Sequence, residues 1–356
     1  MRRGEIEHPP VVSVPGHDKR LGTVNPRSCK QLILQSSSSH QTPERCRSSL
    51  LSWHSSLSRL ESSPTVRAAD PTRTTPPKGA IVVDATGSYK GNFKTVSEGV
   101  AKLNPKKKGV QTVFVQPGVY NEQVLISPLA GPLVLQGYTC DAKNYASNQS
   151  DKVKVYNLNI ANTVGNVGQA LAVNVNATDY GFYACNLTGY QDTVLADKGR
   201  ELFAKTYING ATDFVFGRYA QAWFESCDIE TIGTGFITAS GREAANSSST
   251  YVFNRARVFG KSGVNSTVLG RPWRPYAKVV WQNSELGDVV KPEGWSTWDA
   301  TSSTADVVFK EFNNSGPGAV KGSRVAFSGQ LDKPVAITVV LGQRYAKEWF
   351  VDTSYL

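Results

Sequence analysis

The sequence predicts an all-β body wound as a solenoid, and three observations point to it. Short strand-like runs recur without helices between them: Lys154-Val-Tyr-Asn-Leu-Asn-Ile, Phe182-Tyr-Ala-Cys-Asn-Leu, Phe203-Ala-Lys-Thr-Tyr-Ile and Trp223-Phe-Glu-Ser-Cys-Asp-Ile. Leu187, Ile208 and Ile229 stand 21 residues apart, and Val258 and Leu286 follow at intervals of 29 and 28. A period of that length, built from strands alone, makes each repeat one coil stacked on its neighbours. The 31 glycines, together with frequent aromatic, Val, Thr and Asn residues, suit short strands broken by turns. A β-sandwich with similar strand spacing is the alternative, and the repeat favours the solenoid.

Taken in order, the chain divides near position 78. Residues 1–78 read as a low-complexity, disordered segment: Gln35–Ser63 is Ser-rich without periodicity, and Pro71–Pro77 reads as a linker. Arg2 and Arg3 are followed by Gly4-Glu-Ile-Glu-His in place of an apolar stretch, so no export signal is expected at this start. The domain spans 79–356. Ala80-Ile-Val-Val-Asp-Ala predicts its first strand, and Thr95–Leu103 a short amphipathic helix with Val96, Val100 and Leu103 on one side. Thr112-Val-Phe-Val predicts a buried strand closed by the turn Pro117-Gly-Val-Tyr, after which the repeats begin.

Composition removes several function classes. No run approaches the eighteen or so apolar residues that span a bilayer. The net charge of +10 is uneven: residues 1–78 carry 12 Lys/Arg against 6 Asp/Glu, leaving 27 against 23 in the body. A body at +4 suits a polyanionic substrate, a solvated surface explains it equally well, and nothing resembles a nucleic-acid-binding motif. All four histidines (His8, His17, His40, His54) precede residue 55. Chemistry in the body therefore has no imidazole for a Ser-His-Asp triad or a His-ligated zinc. Cys140, Cys185 and Cys227 allow at most one disulfide there, and Cys185 and Cys227 read as small buried hydrophobes. Six glycosylation sequons, at Asn148, Asn176, Asn186, Asn246, Asn265 and Asn313, are compatible with a secreted protein.

Residues one period apart face the same way on neighbouring coils. Gln169 and Gln191 are 22 apart, and Asp192 and Asp213 are 21 apart. Two amides and two carboxylates therefore share one patch, in turns after strands at Tyr190-Gln-Asp-Thr-Val and Thr212-Asp-Phe-Val-Phe-Gly. Leu269-Gly-Arg-Pro-Trp adds a guanidinium and an indole from a later coil. Paired carboxylates raise one another's pKa, and an arginine holds one of them ionised, which separates a nucleophile from a general acid. Side-chain amides can stabilise an oxyanion. The set points to acyl transfer by a carboxylate nucleophile, without fixing which aspartate attacks. Read singly, each aspartate could be a turn residue, the glutamines an amide ladder, and Trp273 a core residue.

Gly118-Val-Tyr-Asn-Glu, Gly168-Gln-Ala-Leu-Ala, Tyr190-Gln-Asp-Thr, Asp213-Phe-Val-Phe-Gly and Leu269-Gly-Arg-Pro-Trp occur in the order found in pectin methylesterases. From about Ala80 to Leu356 the chain resembles that family, closest to its fungal branch. The resemblance implies a single-stranded right-handed parallel β-helix that hydrolyses the C6 methyl esters of homogalacturonan without a metal or other cofactor. It implies Asp213 as nucleophile, Asp192 as acid and then base, Gln169 and Gln191 as oxyanion donors, and Arg271 as the group holding Asp213. Trp273, Phe216 and Tyr190 would contact the sugar. It further implies pectin as partner, with neither nucleic acid nor membrane, a monomer, and a secreted, cell-wall setting. One interval departs: Tyr138 to Gln169 is shorter than in the family, by about one coil. A non-catalytic, pectin-binding solenoid is the other reading that these residues allow.

Overall fold

The computed structural model describes the backbone of residues 32–34, and residues 73–122, 124–127, 129–139, 154–157, 159–320 and 322–356. The first strand of the domain is Ile81–Val83, as expected. The predicted helix forms over Val96–Val100 and is shorter than its pattern. Thr95 and Glu98 close a capping box at its start. Beyond Ala101 the N–H groups of Lys102 and Leu103 bond back three residues, to Gly99 and Val100, and Pro105 cannot continue the helix. Leu103 still packs in the same apolar cluster as Val96 and Val100.

From Gln111 onward the chain is a parallel β-solenoid. Each full coil presents three faces, and on two coils the first and second faces share one continuous strand. On the coil that begins at Tyr180 these are Tyr180–Tyr183, Asn186–Thr188 and Val194–Ala196, here called the third, first and second faces. The predicted ladder is observed in full on the first face: Leu187 pairs with Ile208, Ile208 with Ile229, Ile229 with Val258, and Val258 with Leu286. All five are buried. On the third face, eleven strands run in one sheet from Ile81–Val83 to Ser328–Gln330.

Two features keep the coils in register. At the corner between the third and first faces, Asn157, Ala184, Lys205, Ser226, Arg255 and Asn283 adopt φ between 49° and 64°. The N–H of each bonds to a carbonyl of the next coil, for example Lys205 to Glu225 at 2.8 Å and Ser226 to Asn254 at 2.9 Å. Inside, Phe182, Phe203, Phe224, Phe253 and Trp281 stack with successive ring centroids 4.7, 4.7, 4.2 and 3.9 Å apart. Such a stack has the spacing of strands in a sheet, so each ring repeats the position of the one below.

The outer side of the third face is also covered. Leu202, Trp223, Val252 and Val280 point outward and meet Val340, Leu341, Phe350 and Tyr355 from the C-terminal segment. Tyr183 donates to the Phe350 carbonyl, and Tyr156 to Asp352 at 2.9 Å. This sheet is thus buried on both sides, as parallel sheets generally are. Cys185 and Cys227 are both buried, as predicted.

The short interval leaves a mark. Leu133–Gly137 pairs directly with Val155–Tyr156 on the third face. On the first face Asn159–Asn162 pairs on its outer side with Leu32–Leu34, which runs antiparallel and pairs in turn with Tyr120–Asn121. Residues 140–153, with Cys140 and Asn148, lie outside the described residues.

Candidate active site

The two aspartates occupy equivalent positions on adjacent coils. Gln191 bridges Thr212, and Val194 pairs with Val215, so Asp192 and Asp213 are register neighbours between those pairs. The Asp192 N–H bonds to the Thr212 carbonyl at 3.1 Å. Both aspartates take a left-handed backbone, with φ 63° at Asp192 and 50° at Asp213. For a residue with a side chain this conformation costs on the order of 1–2 kcal/mol and concentrates at functional positions.

The sequence places Asp213 in a turn after a strand. The structure places it inside one continuous strand, Tyr207–Gly217, which bends from the first face into the second. Across this bend Thr212 pairs with Phe236 and Val215 with Thr238, so three steps on one strand match two on the next. The extra residue forms a β-bulge, which re-aims a side chain without breaking the ladder. Gly189 and Gly210, 21 residues apart, make the approach to each aspartate possible. A Cβ on Gly189 would meet the Thr193 side chain at 2.6 Å, and one on Gly210 would meet Phe214 at 2.3 Å.

Asp213 is 0% exposed and forms a bidentate ion pair with Arg271, Nε to Oδ1 at 2.9 Å and Nη2 to Oδ2 at 2.8 Å. Arg271 comes from Thr267–Pro272, whose neighbour Asp228–Ser240 separates it from the strand of Asp213. Its guanidinium lies between two rings, 3.9 Å from the Phe236 centroid and 4.0 Å from that of Trp298. The aromatic faces leave it a single approach, edge-on to the carboxylate. Asp192 is also buried.

The other predicted residues line the same side. Gln191 is half-buried and Gln169 exposed. Their stacking differs from the 22-residue expectation: the ladder pairs Val173 with Val194, a step of 21, so Ala170 and not Gln169 lies opposite Gln191. The Ala170 N–H bonds to the Gln191 carbonyl at 3.1 Å, and Gln169 stands one position ahead. Phe216 and Trp273 pack at 6.1 Å between centroids, with Leu171, Leu195 and Trp298 around them, and form an apolar floor beside the carboxylates. Arg218 covers the Trp273 ring at 4.8 Å and pairs with Glu243 at 3.2 Å. Tyr190 is half-buried and accepts the Ala211 N–H at its carbonyl, at 2.7 Å.

Sequence reasoning missed Phe236, Trp298 and Arg218. Coils after Ile229 lengthen to 29 and 28 residues, so a 21-residue spacing cannot align Phe236 or Trp298 with the aspartates. The signal that could have found Trp298 is its nearness to Trp295 in Gly294-Trp-Ser-Thr-Trp, a second aromatic pair following Trp273.

A family model described as Pectinesterase matches residues 80–353. A pectinesterase of Aspergillus niger is 40% identical, with 80% of this chain and 94% of that protein covered. A pectinesterase of Aspergillus aculeatus is 38% identical, covering 82% and 96%. A crystal structure of the pectin methylesterase from Aspergillus niger superposes with a TM-score of 0.73 at 32% identity, over 80% of this chain and all of that one. The first match extends over 317 aligned positions but takes in only 80% of 356 residues, about 285, so about 32 positions of the relative face no residue here.

Proposed function

The chain belongs to the pectinesterase family, and from that premise we propose that it hydrolyses the methyl esters of pectin with Asp213 as nucleophile. The observation that carries the assignment is the fork that holds one member of the pair. Asp213 is fixed by a bidentate guanidinium, and Asp192 stands beside it on the adjacent coil. A carboxylate held in a fork keeps lone pairs for attack and cannot rotate away.

An Oδ of Asp213 adds to the ester carbonyl. The amides of Gln169 and Gln191 donate to the oxyanion that forms. Collapse breaks the bond to the methoxy oxygen, Asp192 supplies its proton, and methanol leaves an acyl-enzyme anhydride. Asp192, now a carboxylate, takes a proton from water as that water attacks the anhydride, which frees the galacturonate carboxylate and restores Asp213. Phe216 and Trp273 offer an apolar face to the sugar ring, with Tyr190 at the rim. A monomer acting outside the cell, on the wall polymer, suits a cleft that one solenoid completes alone.

The test is methanol release from highly methylated pectin by the parent and by Asp213→Asn. The isostere keeps the size and removes the charge, so release is expected to fall by at least about 10³-fold with the melting transition retained. Full activity in Asp213→Asn would assign the attack to another group. A parent that binds pectin but releases no methanol would support the non-catalytic reading.

A further inference from the structure

The first coil carries a cleft far from the carboxylates, with a volume of about 520 Å³. Lys78, Lys90 and Lys102 line it, with Tyr89, Phe93 and Pro77. No carboxylate lines it among the described residues. The cleft is built, not incidental. Its outer wall is the loop after Ile81–Val83, and buried Asp84 organises that loop by accepting the N–H groups of Thr86 at 2.9 Å and Tyr89 at 2.8 Å. Asn92 ties the far end of the loop to the Asp84 carbonyl at 2.7 Å. The Lys102 ammonium lies 5.6 Å from the Phe93 ring centroid, over the ring.

The charge is local. Residues 78–110 contain seven lysines and only two carboxylates, Asp84 and Glu98. Both carboxylates are engaged with backbone: Asp84 with the loop above, Glu98 with the N–H groups of Lys94 at 3.0 Å and Thr95 at 3.2 Å. Neither neutralises the three ammonium groups at the cleft. The body as a whole has 27 Lys/Arg against 23 Asp/Glu, so this end of the solenoid holds a share of positive charge that the rest lacks.

Ammonium groups around an exposed tyrosine ring and a half-buried phenylalanine ring match a sugar that carries a carboxylate: the ring stacks and the charge pairs. We propose that this cleft is a second carbohydrate site, which holds a run of free galacturonate carboxylates on the polymer whose esters the Asp192–Asp213 site removes. The proposal rests on the esterase reading above. Four strand-to-strand steps separate Ile81–Val83 from Tyr180–Tyr183, which opens the catalytic coil. At about 4.8 Å per step the two sites lie roughly 20 Å apart along the solenoid, within reach of one polymer chain. The reaction exposes carboxylates, so its own product is the ligand, and binding there keeps the enzyme on a chain it has begun to de-esterify.

The test uses the full chain and a triple variant, Lys78→Gln, Lys90→Gln and Lys102→Gln, none of which touches the active site. Affinity electrophoresis in gels containing polygalacturonate reads the cleft alone. Methanol release is measured on long, partly de-esterified pectin and on a short, fully methylated oligomer. The expected result is weaker retention by polygalacturonate, a KM on the long polymer raised about five-fold with kcat unchanged, and no change on the oligomer. Equal retention and equal KM in parent and variant would overturn the proposal. So would loss of retention by dextran sulfate as great as by polygalacturonate, because a sulfated polymer of neutral sugars reports unspecific charge attraction. If the parent releases no methanol while the retention difference persists, the esterase reading fails and the cleft stands.

Discussion

Two regions bury a carboxylate completely and treat it in opposite ways. In the cleft, Asp213 is 0% exposed and meets the fork of Arg271 in two hydrogen bonds. Inside the third face, Glu201 is also 0% exposed, yet among the described residues neither of its carboxyl oxygens has a side-chain hydrogen-bond partner. Burial pushes the Glu201 pKa well above the usual carboxylate range; the nearby Lys198 amide opposes this and the charge of Asp197 adds to it. Glu201 points inward on the same side of its strand as Phe203, next to apolar rings, and burial there favours its neutral form. Depth alone does not make a carboxylate useful. A preorganised cation does, because it makes the charged form the stable one at a place where water is excluded.

The first way to break that comparison is to remove the cation. Arg271→Ala leaves a buried charge without its partner, and is expected to lower kcat by about 10²–10³ and stability by about 3–5 kcal/mol. Arg271→Lys keeps the charge but loses the planar fork and its place between Phe236 and Trp298, and is expected to recover stability more than rate. Steady-state kinetics beside denaturant unfolding reads both. If Arg271→Ala turned over normally, the ion pair would be structural and the contrast with Glu201 would lose its meaning for catalysis.

The interior can be broken at its stacking column. Phe224 lies between Phe203 and Phe253, with centroid distances of 4.7 and 4.2 Å. Phe224→Ala is expected to cost about 3–5 kcal/mol, and Phe224→Leu clearly less. Asp192 and Asp213 lie on coils that this stack runs through, so the expected signature is lower activity per folded molecule at temperatures well below the transition. Activity that simply tracks the folded fraction would show that the two aspartates keep their geometry without the stack.

How far these regions were legible in the sequence follows from their periodicity. The ladder from Leu187 to Leu286 was readable because each coil must put an apolar residue at the same inward place, whatever its loops do. Asp192 and Asp213 were readable for the same reason, their coils having no insertions. The bulge was not: a bulge and a turn look alike in sequence, and only the hydrogen-bond register, 212 to 236 and 215 to 238, separates them. The same limit misplaced Gln169 by one residue, since a spacing of 22 differs from the true step of 21. Phe236 and Trp298 lie on coils of unequal length, and no period could bring them to Arg271. Glu201 could have been found: it alternates with Phe203 on a strand otherwise apolar inside, a polar residue where the pattern demands an apolar one.

The smallest expected effect isolates Glu201 itself. Its folded pKa is raised above the unfolded one, so the folded state holds a proton that the unfolded state has released. The resulting penalty is absent below the unfolded pKa and grows as pH rises from there toward the folded one. Glu201→Gln cannot ionise, and so carries no such slope. Thermal melting of parent and variant, from about pH 5 to about pH 8, is expected to show the parent losing a few degrees more than Glu201→Gln over that range. Tyr180, Tyr251 and Asp197 face the same carboxyl and are present in both proteins, so the difference between the curves belongs to Glu201 alone. Parallel curves would mean that Glu201 binds its proton equally in the folded and the unfolded chain, and that burial does not raise its pKa.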